Sequence, residues 1–427
     1  MENFRNKLII KNVGPIKDIT LYVNKVNVFM GPQCSGKSTI AKIISYCTWV
    51  EKDVATSQSL EKYKKDKYYF RNLLESFHKM RGYINKDSII EFESNIIKLK
   101  YTEEKFTIEW KNRYDYKRNK ISYIPAERNI AALTGVEKLE LPHNNIRSFL
   151  FDWYDARKTY PNDRNLSILN LGLQYYSEEN GEDHVRFINN GDSYDILLSN
   201  ASSGLQSITP IVLLIDYLTS TVYSQNENES YNDTEKKRKI LEELLIEIIV
   251  KPSGLSTFTN FSEMNPVFTE IDEAIRRKDP EMLKRLNEYN RVVYGLFKTH
   301  NTHLIIEEPE QNLFPETQRD LVYYLLEKCN NTRQDCMTLT THSPYILYAL
   351  NNCIMAGLVY DKMDEKDKQK LTCRKSIISP QKISIYEIEE GALKNIQDKE
   401  GSIGENYFDE QMKKLMDDYY LMLNYYE

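Results

Sequence analysis

An α/β fold is what three features of this sequence predict. The apolar run 26–30 leads directly into a glycine-bearing loop at 31–38, and a periodic segment follows with Ile40, Ile43, Ile44 and Cys47 on one face. That succession reads as strand, loop and helix. A second apolar run, 302–306, ends in Glu307 and Glu308, and a third β-rich run, 336–341, ends at His342. Ionisable groups at the carboxyl ends of buried strands stand where ligands bind in such a sheet.

The remaining elements follow in order. Segments 7–10 and 19–23 read as strands joined through Gly14 and Pro15, a turn signal. Residues 51–80 are charged and helical, with Leu60, Tyr63 and the 68–74 run supplying an apolar stripe. Short antiparallel strands are expected at 88–92, 96–100 and 106–110, and another at 121–125, closed by Pro125. Segments 184–189 and 194–198 flank Asn190, Gly191 and Asp192, a hairpin signal. A long apolar helix is expected over 208–218, with Pro210 tolerated in its first turn.

Residues 225–234 are polar, and 235–299 reads as two or three helices broken near Asn260 and at Asp279 and Pro280. A helix over 317–328 separates the acidic strand from the strand before His342. A short hairpin (382–388 with 392–396) and a helix (408–425) come last. The expected organisation is therefore a first part at 1–223, a helical insertion at 224–300 and a second part of the same unit at 301–427. The insertion is the expected surface for dimerisation or partner docking; a peripheral lobe without a partner is the alternative. No internal repeat and no heptad run long enough for a coiled-coil arm occurs.

Composition narrows the partners. The 427 residues carry 57 Lys and Arg against 63 Asp and Glu, a net charge of -6, so no global basic field recruits nucleic acid. Basic runs at 64–67, 117–120 and 236–239 read as solvated faces or as local phosphate contacts, which leaves nucleic acid open as a partner. The six cysteines and six histidines show no metal-ligand spacing, as expected of a reducing compartment. No signal peptide and no apolar run of about 18 residues appears, so a cytoplasmic location and no membrane partner are expected. The 31 tyrosines, with abundant Asn, Ile and Lys, reflect coding bias rather than function.

Residues 31–38 match G-x-x-x-x-G-K-[ST]. Gly31 and Gly36 let the backbone wrap an anion, while the amides of Gln33, Cys34, Ser35 and Thr39 and the helix start supply partial positive charge. Lys37 is placed to reach β- and γ-phosphates and Ser38 to ligate Mg²⁺. ATP with Mg²⁺ is the expected ligand. Of Glu307 and Glu308, one would hold the metal's water shell and the next would polarise an attacking water. An acid-rich start to the helix at Pro315 and Glu316 is the alternative. His342, just past a strand, either reports the γ-phosphate or is structural.

The order of these motifs resembles that of the ABC-type ATPase head. Residues 31–38 resemble Walker A, 203–206 (Ser203, Gly204, Leu205, Gln206) the signature, 306–308 Walker B, 309–313 the D-loop, and His342 the switch histidine. The wording S-S-G-L-Q-S, E-E-P-E-x-x-L-F-P and T-H-S-P is most similar to the RecF/OLD (overcoming-lysogenisation-defect) branch of these ATPases.

That resemblance implies a P-loop NTPase with a mixed sheet, an antiparallel β lobe and a helical insertion. It also implies a homodimer or higher homo-oligomer that closes on two ATP molecules. Ser203 and Gly204 would meet the γ-phosphate of the other copy, with Gln206 supporting their loop. Glu308 would position the hydrolytic water, Glu307 would serve the metal and His342 would sense the γ-phosphate. Two positions depart from the pattern: Glu307 stands where Asp is usual, and Leu205 replaces the second signature glycine. No Q-loop glutamine is placed, and Arg128, in roughly that stretch, is either an interfacial phosphate contact or a salt-bridge partner.

The absence of heptads between the loop and the signature disfavours long-armed SMC- and Rad-type machines. Full-length OLD nucleases add a metal-binding TOPRIM domain, whereas here Asp361, Asp364 and Asp367 lie in a Lys-rich loop, a poor metal setting. No nuclease activity is expected of this chain. Two functions then compete: a regulatory ATPase controlling a separate nuclease or toxin in antiphage defence, and a RecF-like DNA-binding ATPase in repair. A transporter motor fits the signature and insertion poorly.

Overall fold

The computed structural model describes residues 6–189, 192–224, 231–253, 265–330 and 333–426; Asn190, Gly191 and Asn260 of the expected turns lie outside them. Strands β1 (Lys7–Val13), β2 (Ile16–Tyr22), β3 (Val26–Met30), β4 (Ile84–Glu93), β5 (Ile97–Tyr101), β6 (Phe106–Trp110) and β7 (Asn119–Ile124) fill the first third. Then come β8 (Leu166–Ser167), β9 (Leu173–Ser177), β10 (Asp183–Asn189), β11 (Asp192–Leu197), β12 (Asn301–Glu307), β13 (Cys336–Thr341), β14 (Ile383–Glu389) and β15 (Ala392–Asn395).

They make three sheets. One is antiparallel, β2-β1-β4-β5-β6; a smaller one is β11-β10-β9-β8; the central one runs β15-β14-β3-β13-β12-β7. The central sheet is parallel from β14 to β7, and only β15 is antiparallel. Every residue of β3 is buried, as a strand covered on both faces requires. Register brings Met30 level with Thr341, Thr340 with Glu307, and Ile306 with Ile124. Walker A and Walker B therefore leave the sheet at the same edge.

Alternation along the strands divides the core. Val26, Val28, Met30, Leu304, Ile306, Met337 and Leu339 face one side, against the helices Asn145–Arg157, Ser203–Thr219, Pro315–Cys329 and Pro344–Val359. Phe29 and Ile388 face the other, where the helix Lys37–Ser57 and the five-stranded sheet lie. In that helix Ile40, Ile43, Ile44, Cys47, Val50 and Val54 are buried at the expected spacing. Each such aliphatic side chain contributes about 1.5–3 kcal/mol of burial.

The insertion supplies helices Tyr231–Leu245, Asn265–Arg276 and Pro280–Phe297. Leu244, Ile249, Val250, Val292 and Leu296 are buried in the second core, so one side of it packs on the chain itself. Glu247 Oε2 accepts from Arg113 Nη1 at 3.0 Å, and Asp279 caps the last helix through the amides of Glu281 (2.9 Å) and Met282 (3.1 Å).

Two expectations need correction. The helix expected at 208–218 begins at Ser203, so Pro210 lies inside it and not in its first turn. Residues 203–206, expected as a loop, form that helix's first turn instead. The hairpin expected at 382–396 forms as β14 and β15, and β14 also pairs in parallel with β3, which joins it to the central sheet. The stretch Ser203–Tyr223 does reach a mean hydropathy of 1.3, long and apolar enough by length and composition to cross a membrane. Its apolar window is 67% buried in the fold, which marks a core helix.

Candidate functional site

The loop after β3 turns on two glycines in positive-φ conformations. Gly31 has φ 141° and Gly36 φ 109°. A Cβ on Gly36 would lie 2.4 Å from Ile16 Cδ1, and one on Gly31 2.7 Å from the Ile388 carbonyl oxygen. Only glycine fits either place. Lys37 opens the helix and folds back over the loop, donating to the carbonyls of Gly31 (2.9 Å) and Pro32 (2.6 Å). Burial pushes its ammonium down to about 8, against the pull of Glu308 and Glu310. Gln33 and Cys34 are exposed at the loop tip, Ser35 and Ser38 are half-buried, and Thr39 is buried.

Across the sheet edge stand the carboxylates. Glu307, the last residue of β12, is 5% exposed and its Oε1 has no hydrogen-bond partner. The Tyr123 phenol behind it is pushed far up, first by burial and then by the Glu307 charge. Glu308 takes φ 44°, a left-handed conformation uncommon outside glycine. Its backbone is pinned on both sides: the amide donates to Thr340 O at 2.9 Å, and the carbonyl accepts from Arg128 Nη2 at 2.8 Å. The side chain is thereby turned to His342, with Nε2 3.5 Å from Glu308 Oε1. His342 holds the Glu308 carboxyl below its ordinary range.

Glu310 is the missed member. The reading 309–313 treats it as part of a loop, but its Oε1 accepts the His342 amide at 2.5 Å, and burial pushes its carboxyl up. Its second oxygen, Glu310 Oε2, is buried without a partner. No sequence signal beyond the E-E-P-E run marks it. Orphaned buried carboxylate oxygens at Glu307 and Glu310 suit a hydrated divalent cation, which would satisfy them. With Ser38 and Lys37 on the facing loop, the residues fit a magnesium–triphosphate group.

The signature lies apart. Ser203 is exposed at the start of its helix, and Gln206 Nε2 braces the turn before it, donating to Ser199 O (2.9 Å) and Leu198 O (3.3 Å). Gly204 touches the D-loop so closely that a Cβ there would lie 2.9 Å from Asn312 O. Among the described residues, no hydrogen bond joins 203–206 to 31–38.

Arg128 explains how signature and Walker B are tied. It is neither of the two things the sequence left open. Fully buried, its guanidinium donates to carbonyls: Glu307 O (2.9 Å), Glu308 O (2.8 Å) and Ser207 O (3.1 Å). Burial lowers it to about 10, and the nearby Glu310, Glu308 and Glu307 charges oppose that fall. Pro210 lacks an amide, so the helix ladder is interrupted at the Gln206 carbonyl, one residue before the Ser207 carbonyl that Arg128 meets.

No family model matches the chain, and neither does any curated protein. Solved structures that match include an SMC head domain from Thermotoga maritima, at 11% identity and TM-score 0.35, over 81% of this chain and 91% of that one. Another is the recombination mediator protein RecF of the RecFOR pathway, at 10% identity and TM-score 0.30, over 92% and 98% of the two chains. A third is the ADP conformation of an ATP-binding cassette of an ABC transporter, at 10% identity and TM-score 0.32, over 92% and 89%. The chain's own strand order and loop give the expected α/β fold: a glycine loop of the P-loop pattern after β3, at the carboxyl end of a mixed central sheet, with an antiparallel five-stranded sheet and inserted helices.

Proposed function

We propose that this chain is an ATPase whose two copies close face to face on two ATP molecules. The observation that carries the reading is the separation just described. The phosphate loop and the carboxylates share one sheet edge, while exposed Ser203 is bonded to neither. A signature not bonded to its own loop is free to serve another copy's. When bound, ATP with Mg²⁺ supplies a phosphoanhydride whose γ-phosphoryl passes to water.

In this reading the chain's own groups divide the work. Loop amides 33–39 and Lys37 would bind and orient the phosphates, and Ser38 and Glu307 would hold the metal. Glu308, kept ionised beside His342, accepts a proton from the water, and His342 senses the γ-phosphate. Closure is favoured only while contacts to the γ-phosphate exist, so hydrolysis opens the pair. The resemblance of the E-E-P-E and T-H-S-P segments to stand-alone OLD-like ATPases supports the finer role: control of a separate nuclease or toxin in antiphage defence. The insertion at 224–300, whose described helices keep exposed residues, is the proposed docking module for that effector.

The test is Glu308→Gln with Mg-ATP on a sizing column with light scattering, followed by pull-down from native cells. We expect an ATP-dependent dimer that retains a neighbour-encoded protein. A chain that stays monomeric with ATP bound refutes the shared site. A dimer that instead retains DNA in a salt-sensitive manner replaces effector control with DNA clamping.

A further inference from the structure

One buried amide joins two segments of the site that leave different strands. Gln318 lies in the helix Pro315–Cys329 and is 8% exposed. Its Nε2 donates to the carbonyl of Leu313, the end of the segment 309–313, at 2.8 Å. Its Oε1 accepts from the hydroxyl of Ser343, the neighbour of His342, at 2.5 Å. Both directions are fixed by chemistry. The Leu313 carbonyl can only accept, and Ser343 Oγ already accepts the Tyr345 amide at 3.1 Å, which leaves its proton for Gln318. A second bond crosses the same gap: Glu310 Oε1 accepts the His342 amide at 2.5 Å. The histidine backbone is therefore held by 309–313 at its own amide and, through Gln318, at the next residue. The same segment also meets the signature. Asn312, at φ 62°, sets its carbonyl oxygen where a Cβ on Gly204 would lie 2.9 Å away.

We propose that Gln318 is a positioning residue for His342, passing the placement of 309–313 and of the adjoining signature turn to the imidazole. This rests on the ATPase reading and deepens it. With the link intact, His342 Nε2 stands 3.5 Å from Glu308 Oε1, where it would meet a γ-phosphate. With the link cut, the Glu310 bond alone ties His342 to that segment, and the ring loses its fixed reach. Among the described residues, Gln318 makes no bond to the loop 31–38, so nucleotide affinity is spared. A buried amide that merely filled the core would change stability and leave turnover per folded molecule as it was.

Gln318→Met removes both bonds at similar volume, and Ser343→Ala cuts one of them; Ser343→Thr keeps the hydroxyl and the helix cap. ATP turnover and affinity of the full chain are measured for each, with site-resolved amide exchange of His342 in the absence of nucleotide. We expect Gln318→Met and Ser343→Ala each to lower kcat by about tenfold or more while Kd stays within about twofold. The double variant should be no slower than the slower single, because both changes break one link. Ser343→Thr should keep most of the parent rate. Exchange at the His342 amide should quicken by about tenfold in Gln318→Met. Should that variant fail to fold, the Ser343 pair carries the same comparison. Parental turnover, additive losses or unchanged His342 exchange overturns the proposal. A parent chain that does not hydrolyse ATP instead overturns the ATPase reading, and the exchange result still decides whether Gln318 holds His342.

Discussion

The phosphate-loop centre and the signature turn sit on the same sheet unit but are finished to different degrees. Lys37 and Glu307 are each 5% exposed, held by backbone carbonyls on one side and a fully packed strand on the other. Ser203 is exposed at a helix start that no side-chain cap closes. One region is built to receive a ligand within the chain, and the other presents donors outward. Arg128 is a buried link between the acidic strand end and the signature helix, gripping the backbone of both. A ligand that shifted Glu307 and Glu308 would therefore be felt at the signature helix through one side chain.

The comparison can be broken most severely at Lys37. Lys37→Ala should abolish nucleotide binding while leaving the fold intact, because its ammonium contacts only loop carbonyls and Ser35. Unchanged affinity by calorimetry would remove the loop from the argument. Next comes Arg128→Met, which leaves the carbonyls of Ser207, Glu307 and Glu308 unsatisfied in the interior. We expect a loss of about 3 kcal/mol or more in stability and a steeper loss of ATP turnover. A variant that melts like the parent would show that the carbonyls find other partners and that the link is dispensable.

A smaller effect sharpens the electrostatics. The Lys37 ammonium sits at about 8 in the fold against 10.5 ordinarily. Between those values the unfolded chain binds the extra proton, so nucleotide-free stability should rise with pH across that window. ATP affinity should move the opposite way, falling by up to about tenfold per unit above the lower value, because phosphate binds the charged form. Titration calorimetry in buffers of different ionisation enthalpy reads the proton uptake; a flat profile contradicts the buried-lysine account. The smallest effect is at Cys34, exposed at the loop tip with φ 60°. Bound ATP should slow its alkylation severalfold, and labelling indifferent to ATP would place the triphosphate elsewhere.

Much of this was legible in the sequence. Gly31, Gly36 and Lys37 declare themselves because a backbone that wraps an anion tolerates almost nothing else there. The largely apolar runs 26–30 and 302–306 and the β-rich run 336–341 are readable because strands covered on both faces favour apolar and β-branched residues. Their order along the chain was also enough to pair the loop with the acidic strand. Local sequence was silent where partners come from far away. Nothing near Arg128 announces that its acceptors lie at 207, 307 and 308, and Glu310 becomes a ligand of the His342 amide only when β12 and β13 align.

Sequence alone thus determined the chemistry that short-range geometry dictates: a glycine loop, a lysine behind it, carboxylates at a strand end. Tertiary structure alone decided three things. It ran the helix back to Ser203 across a proline, drew the hairpin 382–396 into the central sheet, and buried an arginine among carbonyls. Each of these balances a local preference against contacts made by residues distant in the chain, and burial won because an unsatisfied interior costs more than a broken local rule.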